Sequence, residues 1–266
     1  MSPAPLLETR DLTVRFGAVV AVNKISVRID AGEVVGLIGT NGAGKTTFLN
    51  MVTGYLRPTS GSILLQGRST VGQTPRQMVA HGMARSFQVP QLFPDMTVRE
   101  HILFALALAG QGEGRAGLLS PLRSPAAQAA ATAVLQRFGL MDIAERTVSL
   151  VPQGQRKLID IAMALSLKPR LLLLDEPTSG VSSAEKMPLM EVVFDAIRAG
   201  GVTVLFVEHD MDVVRRYVTR ILAFRDGHMI ADGAPEAVMR DAVVASAVLR
   251  GKPAGTTKTI EKAGAA

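Results

Sequence analysis

The sequence has no cysteine and no long apolar run. Without cysteine the chain cannot form disulfides, thiolate zinc sites, iron–sulfur clusters or a cysteine nucleophile, and a reducing compartment is permitted. The longest apolar run, residues 102–109, has about eight residues, well short of the roughly 20 that a membrane span needs. Residues 1–5 show no basic patch followed by an apolar segment, so no secretory signal is expected and the cytoplasm is the predicted location.

The residues that are present describe a packed globular protein. Its 266 residues suffice for one large domain or two small ones. Hydrophobic residues make up 47% of the sequence and charged residues 20%. The 29 Lys and Arg residues exceed the 23 Asp and Glu residues, which gives a formal net charge of +6. This charge suits an anionic ligand or a membrane surface, and it requires no nucleic-acid partner.

Strand-like segments are of two kinds. Residues 6–16 and 24–29 alternate between apolar and polar side chains, which is typical of antiparallel strands with one exposed face. Continuous apolar runs, typical of parallel strands buried on both faces, occupy residues 34–38 and 171–174, and a third run at residues 202–207, apolar except for Thr203, resembles them. Each of these runs precedes a segment of helical periodicity. The sequence therefore predicts an α/β fold whose sheet is mixed, with an antiparallel part and a parallel part.

The pattern becomes helical between the strands, over about residues 89–165. Helical stretches at 97–109 and 125–138 are joined by a glycine-rich linker, 110–114, and no strand is indicated. We expect a helical subdomain inserted into the core of a single domain that spans residues 1–251. Residues 252–266 are rich in Gly, Ala, Thr and Lys and lack apolar periodicity, so they are expected to form a disordered tail.

A glycine-rich segment directly follows the first apolar run. It matches the phosphate-loop pattern G-x-x-x-x-G-K-S/T between a strand and a helix, with the residues Gly39, Thr40, Asn41, Gly42, Ala43, Gly44, Lys45 and Thr46, and Thr47 next to them. Glycines let successive N–H groups point at phosphate oxygens, and the positive end of the following helix adds favourable potential. Lys45 is predicted to contact the β- and γ-phosphates of a bound nucleotide, and Thr46 to offer a hydroxyl to Mg²⁺. The alternative is a strand-to-helix turn without a ligand.

Two carboxylates follow the second apolar run. Asp175 is predicted to hold the Mg²⁺ shell, and Glu176 to polarise a water for in-line attack on the γ-phosphate, a general-base role worth roughly 10²–10⁴ in rate. A pair of solvated carboxylates at a strand end is the alternative for these two residues alone. Together with the phosphate loop they predict a site for a nucleoside triphosphate and Mg²⁺, a combination that many nucleotide hydrolases share.

Further motifs occur in a fixed order. Gln88 in Ser-Phe-Gln is followed by Gln-Gly-Gln at 153–155, Asp-Glu-Pro-Thr-Ser-Gly at 175–180 and Val-Glu-His-Asp at 207–210. Over residues 6–250 this order resembles the ATP-binding cassette (ABC) family. The resemblance implies a P-loop NTPase core, with Gln88 as the glutamine that reports Mg²⁺ and γ-phosphate occupancy and His209 as the switch histidine on the γ-phosphate. It also places Phe16 where an aromatic ring stacks on adenine; taken alone, Phe16 could be a core residue and His209 an ordinary histidine.

Within that family, the segments 15–23, 84–88 and 91–94 look most like the ATPase subunits of branched-chain amino-acid importers. The implied function is ATP hydrolysis that energises uptake of a small polar solute, with branched-chain or other hydrophobic amino acids favoured. The implied partners are a second ABC ATPase subunit, transmembrane permease subunits and, indirectly, an external solute-binding protein, with this chain peripheral on the cytoplasmic face of the membrane. The alternatives are the ATPase of a urea or amide importer, that of a lipopolysaccharide exporter, and a soluble non-transport ABC ATPase.

The family signature, usually Leu-Ser-Gly-Gly-Gln, departs from the common pattern here. It aligns with Val-Pro-Gln-Gly-Gln, so the residues expected at the partner's nucleotide are Pro152, Gln153, Gly154 and Gln155. Pro152 offers neither a hydroxyl nor an N–H, although proline suits the first position of a helix, and the Gln153 amide could substitute as a donor. Two interpretations stay open: a tolerated variant, or an asymmetric pair in which this chain lends its partner a weakened signature. We expect a heterodimer, with a homodimer as the alternative.

The segment after Gln88 contains Val89, Leu92, Phe93 and Met96 between two prolines, which indicates an irregular loop. By the resemblance, this region receives a coupling helix from a membrane subunit, since an apolar groove binds an amphipathic helix face. The alternative is that Phe93 and Met96 fill the core of the helical subdomain.

Overall fold

The computed structural model describes residues 4–110 and 124–246. The strands are β1 (Leu7–Phe16), β2 (Val19–Ile29), β3 (Val34–Gly39), β4 (Ser60–Leu65), β5 (Arg68–Ser69), β6 (Met83–Ser86), β7 (Leu171–Asp175), β8 (Thr203–Val207), β9 (Arg220–Arg225) and β10 (His228–Gly233). The helices are α1 (Lys45–Val52), α2 (Pro75–Ala80), α3 (Val98–Gly110), α4 (Pro125–Arg137), α5 (Gln153–Ser166), α6 (Ser183–Gly200), α7 (Met211–Tyr217), α8 (Pro235–Arg240) and α9 (Ala242–Val244). The predicted tail, 252–266, and most of the 110–114 linker lie outside the described residues.

The strands form two sheets. One sheet, with the strand order β2-β1-β4-β5, is antiparallel throughout. The other has the order β10-β9-β3-β8-β7-β6, and every neighbouring pair in it is parallel except β10 and β9. The predicted α/β fold with an antiparallel and a parallel part is confirmed. The three apolar runs become β3, β8 and β7, which are neighbours in the parallel sheet.

Strand β7 shows why those runs are apolar at nearly every position. Leu171 and Leu173 pack in the core between the two sheets, together with Phe48 of α1. Leu172 and Leu174 point the other way, into the core that the sheet shares with helices such as α5 and α6. Because successive side chains of a strand alternate between faces, a strand covered on both sides needs an apolar residue at each position.

Between β6 and β7, the predicted helical stretches 97–109 and 125–138 become α3 and α4, and the further helix α5 follows them. Helix α5 begins at Gln153, so Pro152 is its N-cap and not the first helical residue: the Pro152 carbonyl accepts the first intrahelical hydrogen bond, from the N–H of Arg156 at 3.0 Å. Nowhere in the described parts of the chain is a helix both long and apolar enough to cross a membrane.

Candidate functional site

Four loops meet at one edge of the parallel sheet. Strands β3, β6, β7 and β8 run in the same direction, so the segments that follow their carboxyl ends converge. They enclose a cleft with a volume of about 1380 Å³. Its lining includes residues 39–47 after β3, Gln88 after β6, Glu176 after β7 and His209 after β8.

Close backbone packing requires glycine at two positions of the phosphate loop. A Cβ atom on Gly39 would lie 2.4 Å from the carbonyl oxygen of Phe224, and one on Gly44 would lie 2.6 Å from that of Ala21. Gly44 is also the N-cap of α1 and has a φ of 98°, in the left-handed region that favours glycine. The first turn of α1, whose N–H groups have no partner within the helix, therefore starts inside the cleft that residues 44–47 line.

Lys45 holds a buried ammonium group at this loop. Only 6% of the residue is exposed, and its Nζ donates to the carbonyl oxygens of Gly39 at 2.8 Å and Thr40 at 3.0 Å. Burial lowers the pKa of Lys45, while the negative charges of Glu176 and Asp175 act in the opposite direction. An anion in the cleft would replace the water that this ammonium has lost, so the loop fits a phosphate group.

The structure brings the three predicted catalytic side chains together. The Gln88 Nε2 donates to one carboxylate oxygen of Glu176 at 2.7 Å, and the His209 Nε2 lies 2.9 Å from the other. Glu176 itself has a φ of 49°, and its N–H donates to the carbonyl of Val207 at 2.9 Å. One carboxylate is thus oriented from two loops, in a backbone conformation that the neighbouring strand holds in place.

Two predicted site residues do not line the cleft. Asp175 is buried, and its Oδ2 accepts a hydrogen bond from Arg85 at 2.6 Å, while another nitrogen of that guanidinium donates to Asn50 at 2.6 Å. Phe16 ends β1 with about half of its surface exposed, at 53%. The structure therefore places Asp175 behind the cleft and Phe16 outside its lining.

The signature residues lie against a loop of the same chain. Pro152 and Gln153 are exposed at the start of α5. The Gln153 amide packs over Gly180, since a Cβ on Gly180 would lie 2.6 Å from the Gln153 Nε2. This contact joins the signature to the segment that follows Glu176.

The loop after Gln88 is apolar and partly open. Val89 and Phe93 are exposed, at 67% and 50%. The Phe93 ring contacts Phe104 edge-on, with centroids 5.8 Å apart, and its N–H donates to Nε2 of the buried His101 at 2.9 Å. Phe93 therefore does not fill the core of the helical region, whereas Leu92 and Met96 are half-buried.

Three polar residues that matter here were not anticipated from the sequence. Arg85 pairs with Asp175, Lys157 bonds to two residues of the site, and Glu208 accepts hydrogen bonds from Thr178 and from the N–H of His209, the latter at 2.6 Å. Arg85 and Asp175 are 90 positions apart, and Lys157 and Gln88 are 69 apart. Pairs so remote in sequence cannot be predicted from local residue spacing. The one sequence feature that points to them is the position of Lys157 on the apolar face of α5.

Comparison with known proteins agrees with this geometry. A family model described as ABC transporter matches residues 22–179. The LivG proteins of Salmonella typhimurium and Escherichia coli, named high-affinity branched-chain amino acid transport ATP-binding proteins, are each 36% identical, over 92% of this chain and 98% of theirs. BraF of Pseudomonas aeruginosa, similarly named, is 34% identical with the same coverage.

Solved structures resemble the chain as well. One is described as the ADP conformation of an ATP-binding cassette of an ABC transporter; it has a TM-score of 0.79 and 28% identity, and covers 91% of this chain and 97% of that one. Another is cbiO1 from Clostridium perfringens, described as part of the ABC transporter complex cbiONQ, with a TM-score of 0.76 and 25% identity over 91% of this chain and 94% of that one. The chain therefore belongs to the ABC transporter family, as one of its ATP-binding, ATP-hydrolysing cassettes.

Proposed function

We propose that this chain is the ATPase subunit of an importer for branched-chain or other hydrophobic amino acids, and that residues 1–251 form one ATP-binding domain. The observation that carries the ATPase is the contact of Glu176 with both Gln88 and His209 beside the phosphate loop. The similarity to LivG and BraF along nearly their whole lengths supports the solute class.

Phosphate binding rests on residues 39–47. Their N–H groups and the Lys45 ammonium, which has no side-chain acceptor within hydrogen-bond distance among the described residues, supply positive potential for the β- and γ-phosphates. Phe16, at the end of β1, is the proposed adenine contact.

Hydrolysis is assigned to Glu176. Its carboxylate accepts a proton from the attacking water as the water oxygen bonds to the γ-phosphorus and the bond to the β-phosphate oxygen breaks. Gln88 and His209 hold the carboxylate through its two oxygens, and His209, which lines the cleft, is the proposed contact of the γ-phosphate. Because the loops that carry Gln88 and His209 both orient Glu176, the rate of ATP hydrolysis depends on both loops.

Mg²⁺ fits the oxygen groups available at this cleft. Thr46 and Gln88 line the cleft. The amide nitrogen of Gln88 donates to Glu176, which leaves its amide oxygen as the group that would bind Mg²⁺. Asp175 lies behind them, where it would act through water. Bound Mg²⁺ would neutralise phosphate charge.

Exposed features of the chain support a proposed assembly. We propose a second ATPase subunit, in a heterodimer, that receives residues 152–155 at its nucleotide, and permease subunits that dock at Val89 and Phe93 on the cytoplasmic face of the membrane. An external binding protein would deliver the solute. The exposed start of α5 and the exposed apolar loop support these contacts.

Uptake by the purified transporter tests the function. The complex is isolated from membranes through a tag on this chain and reconstituted in vesicles with its binding protein. We expect ATP-dependent uptake of labelled leucine, isoleucine or valine, and with Glu176→Gln a loss of ATPase activity of about 100-fold with ATP binding retained. Uptake of urea or short amides would instead favour the alternative importer, and isolation without any membrane protein would contradict transport.

A further inference from the structure

Lys157 is a fully buried cation on α5, with none of its surface exposed. Its Nζ donates to the backbone carbonyl of Gln88 and, at 3.0 Å, to that of Glu176. These are the two residues whose side chains bond to each other at 2.7 Å. One ammonium therefore ties the main chains of two loops whose side chains meet in the cleft.

A second side chain of the same helix reinforces this tie. Asp160, three residues further along α5, accepts hydrogen bonds from the Ser86 hydroxyl at 2.7 Å and the Phe87 N–H at 3.1 Å. Residues three apart lie on the same face of a helix. Side chains from one face of α5 thus hold residues 86–88 and 176 together.

Helix α5 also begins at the signature. Its N-cap is Pro152, and Lys157 lies little more than one helical turn further along. In the proposed dimer the start of α5 faces the partner's nucleotide. A rigid helix therefore connects the contact with one ATP to the carboxylate that hydrolyses the other.

Burial of the Lys157 ammonium carries a desolvation cost, whatever its role. Burial lowers the pKa of Lys157, and the nearby charges of Asp160, Glu176, Glu208 and Asp175 act against that effect. Its two identified acceptors are both main-chain carbonyls, which hold loop positions regardless of side-chain rotamer. A methionine of similar length would fill the space without the desolvation cost, so packing alone does not explain the charge.

We propose that Lys157 is a positioning residue for ATP hydrolysis, which fixes the backbone of Gln88 and Glu176 and so couples α5 to the attacking water. The inference rests on the proposed role of Glu176. It assigns no contact between Lys157 and ATP. Removal of the ammonium should therefore lower the turnover rate and leave nucleotide affinity nearly unchanged.

The test compares Lys157→Met with Arg156→Met in the tagged transporter complex. Arg156 is a matched control, because it is a neighbouring cation on the same helix whose bonds go to the carbonyls of Val151 and Ser149 and not to the catalytic loops. We expect Lys157→Met to lower kcat about tenfold or more with KM for ATP within about threefold, and Arg156→Met to change kcat by less than about threefold. Lys157→Arg, which keeps charge and donors, should recover part of kcat.

Three results would overturn the proposal. The first is a kcat of Lys157→Met equal to that of the wild type. The second is a loss of kcat in Arg156→Met as large as that in Lys157→Met. The third is a parallel fall of the kcat, the ATP affinity and the urea unfolding midpoint of Lys157→Met, with no recovery in Lys157→Arg. Glu176→Gln is measured alongside. If that variant keeps its ATPase activity, the proposed function fails; if it is inactive while Lys157→Met is unimpaired, only the role of Lys157 fails.

Discussion

Asp160 is a carboxyl group with 8% of its surface exposed, next to the loop that carries Gln88. Burial raises its pKa above the ordinary value of 3.8, although its bonds from Ser86 and Phe87 and the charge of Lys157 act in the opposite direction. The folded protein therefore binds this proton more tightly than the unfolded chain. The stability from this group is complete below pH 3.8 and is lost as pH rises through the folded pKa.

Asp160→Asn removes this titration. We expect the free energy of unfolding of the variant, relative to that of the native chain, to increase as pH rises above about 4, as measured by urea unfolding. Asp210→Asn is the control of opposite sign: its difference from the native chain should fall as pH rises, mainly below about pH 5. Burial alone would raise the pKa of Asp210, but its bond to Lys186, the charge of Lys186 and nearby N–H groups together lower it. A difference for Asp160→Asn that is constant with pH, or that falls as pH rises, would contradict this reasoning.

Arg85 and Asp175 illustrate a different effect of buried charge. Both side chains are less than one-tenth exposed, at 7% and 5%. The pair is not evidence of large net stabilisation, because desolvation offsets its attraction. Its effect is positional, because Arg85 of the neighbouring strand β6 fixes the Asp175 carboxylate at the end of β7. Removal of either side chain would leave the other charge buried without an ion-pair partner.

At the level of elements, the unit β3, phosphate loop and α1 depends on backbone contacts with the β1–β2 hairpin. Gly44→Ala would place a methyl group 2.6 Å from the Ala21 carbonyl at a φ of 98°. Gly42→Ala has a φ of 81° but meets no atom within 4 Å, so it imposes the conformational cost without the clash. The backbone cost is about 1–3 kcal/mol in either variant.

We therefore expect Gly44→Ala to lose more stability and more ATP affinity than Gly42→Ala. Urea unfolding and the fluorescence of a bound nucleotide analogue measure the two effects. Equal losses in both variants would mean that the contact with the hairpin does not constrain the loop.

Some strands of the parallel sheet could be predicted from local sequence and one could not. Strands β3, β7 and β8 were predictable because both of their faces are buried and nearly every position is apolar. Strand β6 was not, because its Arg85 and Ser86 are polar residues whose partners, Asp175 and Asp160, are remote in sequence. The phosphate loop, Glu176 and His209 could be located from motifs, whereas the roles of Arg85 and Lys157 depend on distances that only the folded chain defines.

For the whole assembly, the asymmetric interpretation of the signature predicts two unequal sites in the proposed dimer. Glu176 would act at a site that the partner's signature completes, and the partner's glutamate at a site completed by residues 152–155 of this chain. Pro152 lacks an N–H and a hydroxyl, and the loss of one transition-state donor typically costs about 10²–10³ in rate. The site that borrows this signature should therefore be the slower one.

The corresponding experiment places Glu176→Gln in this chain or the equivalent change in its partner, within otherwise intact complexes. We expect the change in this chain to remove most of the ATPase rate and the change in the partner to remove little. Equal losses would contradict the asymmetry and favour a tolerated variant of the signature.

Strand order has a consequence for how the protein is made. Strand β3, which carries the phosphate loop, lies between β8 (Thr203–Val207) and β9 (Arg220–Arg225). A ribosome has thus synthesised most of the chain before either neighbour of β3 exists. Until then β3 has no partner in its own sheet, and the loop that follows it cannot reach its native shape, so the ability to bind ATP arises only after β8 and β9 have been synthesised.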